Sequence, residues 1–146
     1  MIPARPHHAI WPQRLPHHLV LPETSLWHNL AVSALRYPRK PACLFLGQAL
    51  SFASLLAQAD APAAGHTPGP HTAGPDGLAL LPYTCGTTGL PKGCMHTHRT
   101  LMHNGVGGAV VGHDGPEVVG LGVVPMFRIT GMVCGCLGPV AAPAAG

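Results

Sequence analysis

The sequence predicts an α/β chain, on three observations. Short β-prone apolar runs alternate with segments whose apolar residues recur at helical spacing. One such run, Leu78-Ala79-Leu80-Leu81-Pro82, leads into a loop of glycines and threonines that closes on a lysine. With 146 residues, the chain has the length of one ordinary domain.

Taken in order, residues 1–22 read as an irregular arm. Pro3, Pro6, Pro12 and Pro16 interrupt every candidate helix or strand, and Pro6-His7-His8 is echoed by Pro16-His17-His18. From Thr24 the pattern changes, and residues 23–59 read as helix, hairpin, helix. Thr24 or Ser25 caps the first helix. Leu26, Leu30 and Ala34 share one face, Trp27, Ala31 and Leu35 lie beside it, and Pro38 ends it. Pro41 to Leu46 reads as a buried strand, Gly47-Gln48 as a turn and Ala49 to Phe52 as the return strand. Ser51 or Ser54 then opens a helix through Leu55, Leu56 and Ala59.

Residues 60–77 are low-complexity Ala, Pro, Gly, His and Thr, a composition that suits a linker. Residues 78–135 hold the glycine–threonine loop between the run at Leu78 and a second β-prone run, Cys94 to His98. Thr97 is placed to cap a helix through Leu101 and Met102, weakened by Gly105, Gly107 and Gly108 at roughly 1 kcal/mol each relative to Ala. His113 to Pro116 is a turn, and Val118 to Val124 is an apolar, β-branched strand. Residues 136–146 form a small-residue tail.

Composition excludes several classes. Glycine (19) and proline (17) make up about a quarter of the chain, and only 9% of residues are charged against 47% apolar, so an incomplete fold would aggregate. The net charge is +3, but the basic residues are scattered and form no nucleic-acid stripe. Five cysteines are an odd number with no disulfide framework. Prolines break any signal-peptide core, and no window approaches the roughly 20 apolar residues of a transmembrane segment. The expectation is a cytoplasmic protein with reduced thiols and no nucleic-acid partner. Its oligomeric state is not readable.

The stretch Tyr83-Thr84-Cys85-Gly86-Thr87-Thr88-Gly89-Leu90-Pro91-Lys92-Gly93 carries the chemistry. Glycines let backbone N–H groups converge on an anion. Threonine hydroxyls add donors, and Lys92 adds a mobile positive charge. The stretch is not a Walker A loop, because Lys92 lies between Pro91 and Gly93 and the glycine spacing differs.

This stretch resembles the phosphate loop of the AMP-forming, acyl-adenylate enzymes: acyl-CoA ligases, luciferases and adenylation domains. Their pattern is Tyr-Thr-Ser-Gly-Thr-Thr-Gly-x-Pro-Lys-Gly, and the one departure here is Cys85 in place of Ser. Tyr37-Pro38-Arg39-Lys40-Pro41-Ala42, followed by the hairpin and helix, is similar to the opening of the acyl-CoA ligases. Pro125-Met126-Phe127-Arg128-Ile129-Thr130-Gly131 is similar to their acyl-pocket motif, with Arg128 where the family has His.

The resemblance implies part of the N-terminal domain of the adenylate-forming fold, with an incomplete sheet. It also implies ATP-dependent activation of a fatty or other carboxylic acid to an acyl-adenylate and then a coenzyme A thioester, with Mg2+. Thr84, Cys85, Gly86, Thr87, Thr88, Gly89 and Lys92 would contact ATP phosphates. Met126, Phe127, Arg128 and Gly131 would line the acyl pocket. A thiol is a poorer donor than a hydroxyl, so Cys85 would weaken one contact. The family's later Mg2+-binding Glu, ribose-binding Asp and C-terminal Lys have no counterpart in this sequence. The expectation is an internally deleted, C-terminally truncated portion of a long-chain fatty-acid–CoA ligase, inactive alone, with a non-functional remnant as the alternative.

One alternative comes from another class. Cys94, His96 and His98 alternate and would share one face of a strand. With His103 and the Cys134–Cys136 pair nearby, they suggest a small metal-binding module.

Overall fold

The computed structural model describes residues 6–62, 67–84, 89–112, 115 and 117–137. A short 3-10 turn, Pro6–Ile10, lies in the arm. Then come α1 (Leu26–Arg36), β1 (Pro41–Phe45), β2 (Gln48–Ser51) and α2 (Phe52–Asp60). The later elements are β3 (Leu78–Leu80), β4 (Tyr83–Thr84), β5 (Lys92–Gly93), β6 (His96–Thr97), α3 (His98–Gly112) and α4 (Ile129–Met132), the last followed by a π-helical turn, Val133–Leu137. Among the described residues the strands pair as β1–β2, β3–β6 and β4–β5, all antiparallel. Helices with small antiparallel sheets accord with the α/β expectation.

The starts of α1, α2 and α3 follow from a hydroxyl, whereas α4 follows Arg128 with no side-chain cap. The Ser25 hydroxyl accepts the His28 N–H at 3.2 Å, and the Ser51 hydroxyl accepts that of Ser54 at 3.2 Å. The Thr97 hydroxyl accepts that of Thr100, also at 3.2 Å. Each satisfies one of the orphan donors of a first turn. The β1–β2 turn falls on Leu46 and Gly47, with φ of 47° and 78°, one residue earlier than the sequence suggests. Two successive positive φ values match the twist of a two-residue hairpin. Gly47 takes that conformation freely, whereas Leu46 is held there at a cost of about 1–2 kcal/mol.

The buried face of α1 differs from expectation. Leu35 is exposed, while Asn29, Ser33 and Ala34 are buried. Asn29 is buried because its amide is satisfied. Nδ2 donates to the Ser25 carbonyl at 3.0 Å and to Met102 Sδ at 3.2 Å, and Oδ1 accepts the Thr24 hydroxyl at 3.2 Å. A polar residue so paired avoids the penalty of an unsatisfied buried group.

Helix α3 runs 15 residues despite its internal glycines. Leu101, Met102, Gly105, Val106 and Ala109 are buried along it, the spacing of one helical face. Burial of that face outweighs the weak propensity of the glycines. Met102 and Val106 form the core, with Leu21, Leu26 and Val110 packed against them. Leu21 belongs to the arm, so residues 1–22 are not wholly detached. The arm's Leu19 Cδ1 also lies 3.5 Å from where a Cβ on Gly107 would be.

One predicted element is absent. Val118 to Val124 forms no strand, and Val119, Leu121 and Val123 are exposed. A strand is defined by its ladder, and no described segment pairs with this one. The predicted turn at His113 to Pro116 lies mostly outside the described residues. The chain exposes 10491 Å2 at a mass of 15.1 kDa, whereas a compact monomer of that mass exposes roughly 7,100 Å2. The excess shows in the β1–β2 tip, where Leu44, Phe45 and Leu46 all face solvent.

Candidate functional site: a broken ribbon carrying the glycine–threonine loop

Strands β3, β4, β5 and β6 are the two arms of one interrupted ribbon. Leu78 pairs with Thr97 and Leu80 with His96 near the base. Tyr83 pairs with Gly93 and Thr84 with Lys92 near the tip. Between the two ladders the Cys94 N–H donates to the Pro82 carbonyl at 2.9 Å, which keeps the arms together across the interruption. Pro82 has no N–H to return a bond, so the ladder breaks there. The Thr84 hydroxyl donates to the Lys92 carbonyl at 3.3 Å. The ribbon therefore fixes both ends of the loop, and Thr84 and Lys92, two of the phosphate-binding candidates, meet across β4–β5.

Gly89 lies on a bend, and the Lys92 side chain is exposed. Cys85, Gly86, Thr87 and Thr88 lie outside the described residues. Gly93 sits where a Cβ would come within 3.2 Å of Leu81 Cδ1 and 3.5 Å of Tyr83 Cε1. Leu81 is a flexible, part-exposed side chain that can yield. Gly93→Ala is therefore expected to cost no more than about 1 kcal/mol, read as a small drop in melting temperature by circular dichroism.

The base of the ribbon is anchored on three sides. The His98 N–H donates to the Gly77 carbonyl at 3.2 Å and that of Arg99 to the Pro75 carbonyl at 2.7 Å. The Arg99 guanidinium grips Asp76 through Nε (2.8 Å) and Nη2 (3.0 Å), with Glu23 at 3.8 Å. The Arg99 hydrogen bonds hold the Asp76 carboxyl below its ordinary range. Third, the Leu26 N–H, in the first turn of α1, donates to His98 Nδ1 at 3.1 Å. Nothing in the spacing of the sequence signals this last bond.

The segment 67–74 is tied down by a second polar cluster. Asp60 Oδ1 accepts Trp27 Nε1–H at 2.8 Å and pairs with His71 Nε2 at 3.0 Å. The His71 and Trp27 rings stack with centroids 4.1 Å apart. The segment that reads as a linker thus has a fixed contact with α1 and α2.

The alternating strand needed for a metal module does not form. Only His96 and Thr97 are in β6; Cys94 precedes it and His98 starts α3. The change from strand to helix at His98 ends the two-residue alternation that would have put the three side chains on one face. Among the described residues no three His, Cys, Asp or Glu side chains could hold a metal ion.

The acyl-pocket candidates differ in exposure. Phe127 is 87% exposed and Met126 49%, and Arg128 is exposed ahead of α4. Gly131 is buried beside a cavity of about 90 Å3 lined by Leu121, Val123, Val124 and Cys134. Ligand pockets usually enclose about 300–1,000 Å3, so this space is too small for an acyl substrate.

The family model "AMP-binding enzyme" matches residues 65–145, more than half of the chain and the whole of the loop-bearing ribbon. The chain belongs to the AMP-binding enzyme family. It is similar to 4-coumarate–CoA ligase-like 9 of Oryza sativa subsp. japonica, with 42% identity over 94 residues, covering 61% of this chain and 17% of that protein. It is also similar to sulfoacetate–CoA ligase of Cupriavidus necator, with 41% identity over 66 residues (45% of this chain, 13% of that protein). With long-chain-fatty-acid–CoA ligase of Bacillus subtilis it shares 45% identity over 58 residues (38% and 10%). The chain thus spans at most 17% of the length of these relatives. No solved structure matches it. Among the described residues, no helix of this family member is long and apolar enough to cross a membrane.

Proposed function

We propose that this chain is the phosphate-loop portion of an acyl-CoA ligase, of the long-chain fatty-acid type. The reaction joins a carboxylate to the α-phosphorus of ATP with departure of pyrophosphate, after which the coenzyme A thiol displaces AMP. The observation that carries this reading is the ribbon. It holds Thr84 and Lys92 together at the mouth of the glycine–threonine loop, inside the segment that the family model matches.

In this reading Lys92 and the loop N–H groups neutralise charge on the departing pyrophosphate. Thr84, Cys85, Thr87 and Thr88 supply side-chain donors, and Gly86 and Gly89 allow close backbone approach. The exposed Lys92 ammonium and the acid-free sequence from Leu78 to Thr97 suit a polyanion. Magnesium would enter with the nucleotide, since the ribbon offers it no carboxylate and Asp76 is held by Arg99. Met126, Phe127, Arg128 and Gly131 would belong to the acyl side.

The opening segment 23–59 and the segment 78–135 are read as two blocks of the AMP-binding domain, with 60–77 replacing a longer stretch between them. Surface well above that of a compact monomer, and apolar residues exposed at the β1–β2 tip and along 118–124, support a portion of a larger domain. These 146 residues alone are expected to release no carboxylate-dependent pyrophosphate from ATP and to bind ATP weakly. A micromolar dissociation constant by calorimetry would contradict the second expectation.

A graft tests the function itself. Residues 83–93 replace the phosphate loop of the Bacillus subtilis long-chain-fatty-acid–CoA ligase, and pyrophosphate release is followed. Activity is expected to fall roughly tenfold, the value of one weakened hydrogen bond of about 1.4 kcal/mol, and to recover with Cys85→Ser. An inactive graft that Cys85→Ser does not rescue would refute the assignment.

A further inference from the structure

We propose that the hydrogen bond from the Leu26 N–H to His98 Nδ1 is an acid-labile latch between α1 and the base of the loop-bearing ribbon. The bond, at 3.1 Å, joins residues 72 positions apart. It does two things at once: it fills an orphan donor in the first turn of α1, and it fixes the residue at which β6 becomes α3. A backbone N–H can donate only to an unprotonated ring nitrogen, so the geometry assigns His98 the tautomer with its proton on Nε2. A proton on Nδ1 removes the acceptor and sets a cation against the positive end of the α1 dipole.

Two features make His98 the sensitive point. It is partly buried between α1 and the ribbon, and that desolvation pushes its pKa below the ordinary His value. No acidic residue occupies the first turn of α1 to offset an imidazolium. The charged and titratable groups on the surrounding elements are Glu23 before α1, His28 and Arg36 within it, Asp76 before β3, His96 on β6, and Arg99 and His103 on α3. Of the two carboxylates, Asp76 is gripped by Arg99, and Glu23 lies at 3.8 Å from the same guanidinium.

The direction of the pH effect follows. In the unfolded chain His98 titrates near 6.5, and in the folded chain below that. Between the two values the unfolded chain binds more protons, so stability rises with pH across this window. The latch is therefore closed above about pH 6.5 and is lost as the pH falls through the lower, folded value.

The test uses the intact 146-residue chain, labelled with nitrogen-15. Long-range nitrogen–proton spectra between pH 5 and 8 should show His98 Nδ1 unprotonated at pH 7.5 and titrating below 6.5. Protection of the Leu26 amide from hydrogen exchange, corrected for intrinsic rates, should fall from pH 7.5 to 5.5 by up to about tenfold, the limit for one proton taken up near 6.5 in the open chain. In His98→Asn, whose side-chain oxygen accepts but does not titrate, that loss should be smaller. Titration of His98 at or above 6.5, or equal loss of Leu26 protection in both proteins, would overturn the proposal. If His98→Asn does not fold, the wild-type titration and Leu26 exchange decide alone.

Discussion

Met102→Ala is expected to destabilise the chain by about 2–5 kcal/mol, the range for emptying a buried methionine site. Met102 is 1% exposed. It is the residue around which Leu21 of the arm, Leu26 of α1 and Val106 and Val110 of α3 assemble. Its sulfur also receives the Asn29 amide at 3.2 Å, so truncation opens a cavity and removes a polar partner together. Domains are stable by only about 5–15 kcal/mol, and among the described residues just six apolar side chains are buried. The substitution should therefore remove most of the cooperative urea transition. Met102→Leu, close in volume, should cost less than about 1.5 kcal/mol. Equal denaturation midpoints for the wild type and the Ala variant would show that the core lies elsewhere.

Gly131→Ala is the second large effect. A Cβ there would lie 2.5 Å from the Val124 carbonyl oxygen and would also strike the carbonyl of Pro125. These are backbone atoms, so no rotamer change relieves the contact, and α4 must move off residues 124–125. The cost is expected at the upper end of the overpacking range, about 3 kcal/mol. It should appear as loss of exchange protection confined to residues 124–135. Contrast with Gly93→Ala separates mechanism from residue type. At Gly93 the neighbour is the end of a leucine side chain; at Gly131 it is the chain itself. A Gly131→Ala protein with unchanged exchange across 124–135 would contradict the packing.

The legible parts of this fold are those written in adjacent residues. Ser25, Ser51 and Thr97 cap helices because a cap needs only a hydroxyl and the next turn. Pro38 is followed by a new element because proline acts on its own backbone. The glycine–threonine loop was legible for the same reason, its residues being contiguous. What escaped depends on distant partners. An amphipathic pattern rewards apolar side chains and so misses Asn29, whose burial follows from hydrogen bonds to Ser25 and Met102. Val118 to Val124 has strong β propensity, but propensity does not provide a neighbouring strand. His98 looked like a strand residue with metal-ligand spacing. It is instead the first residue of α3, and its structural bond goes to Leu26. The acyl-side motif is readable as a motif, but not that Phe127 and Arg128 are exposed while Gly131 is buried.

The two bonds that define the ends of the ribbon differ in a way that orders assembly. Thr84 reaches Lys92 across eight positions, whereas Leu26 reaches His98 across 72. Closing a short loop takes tens of nanoseconds and a hairpin about 1–10 μs, while contacts between distant segments bear a larger entropic penalty and form slowly. The tip of the ribbon is thus an early, self-contained event, and its attachment to the first helix is a late one. A chain still emerging during synthesis would already present α1 and the β1–β2 hairpin, with the helix start uncapped by its imidazole until residue 98 had been made.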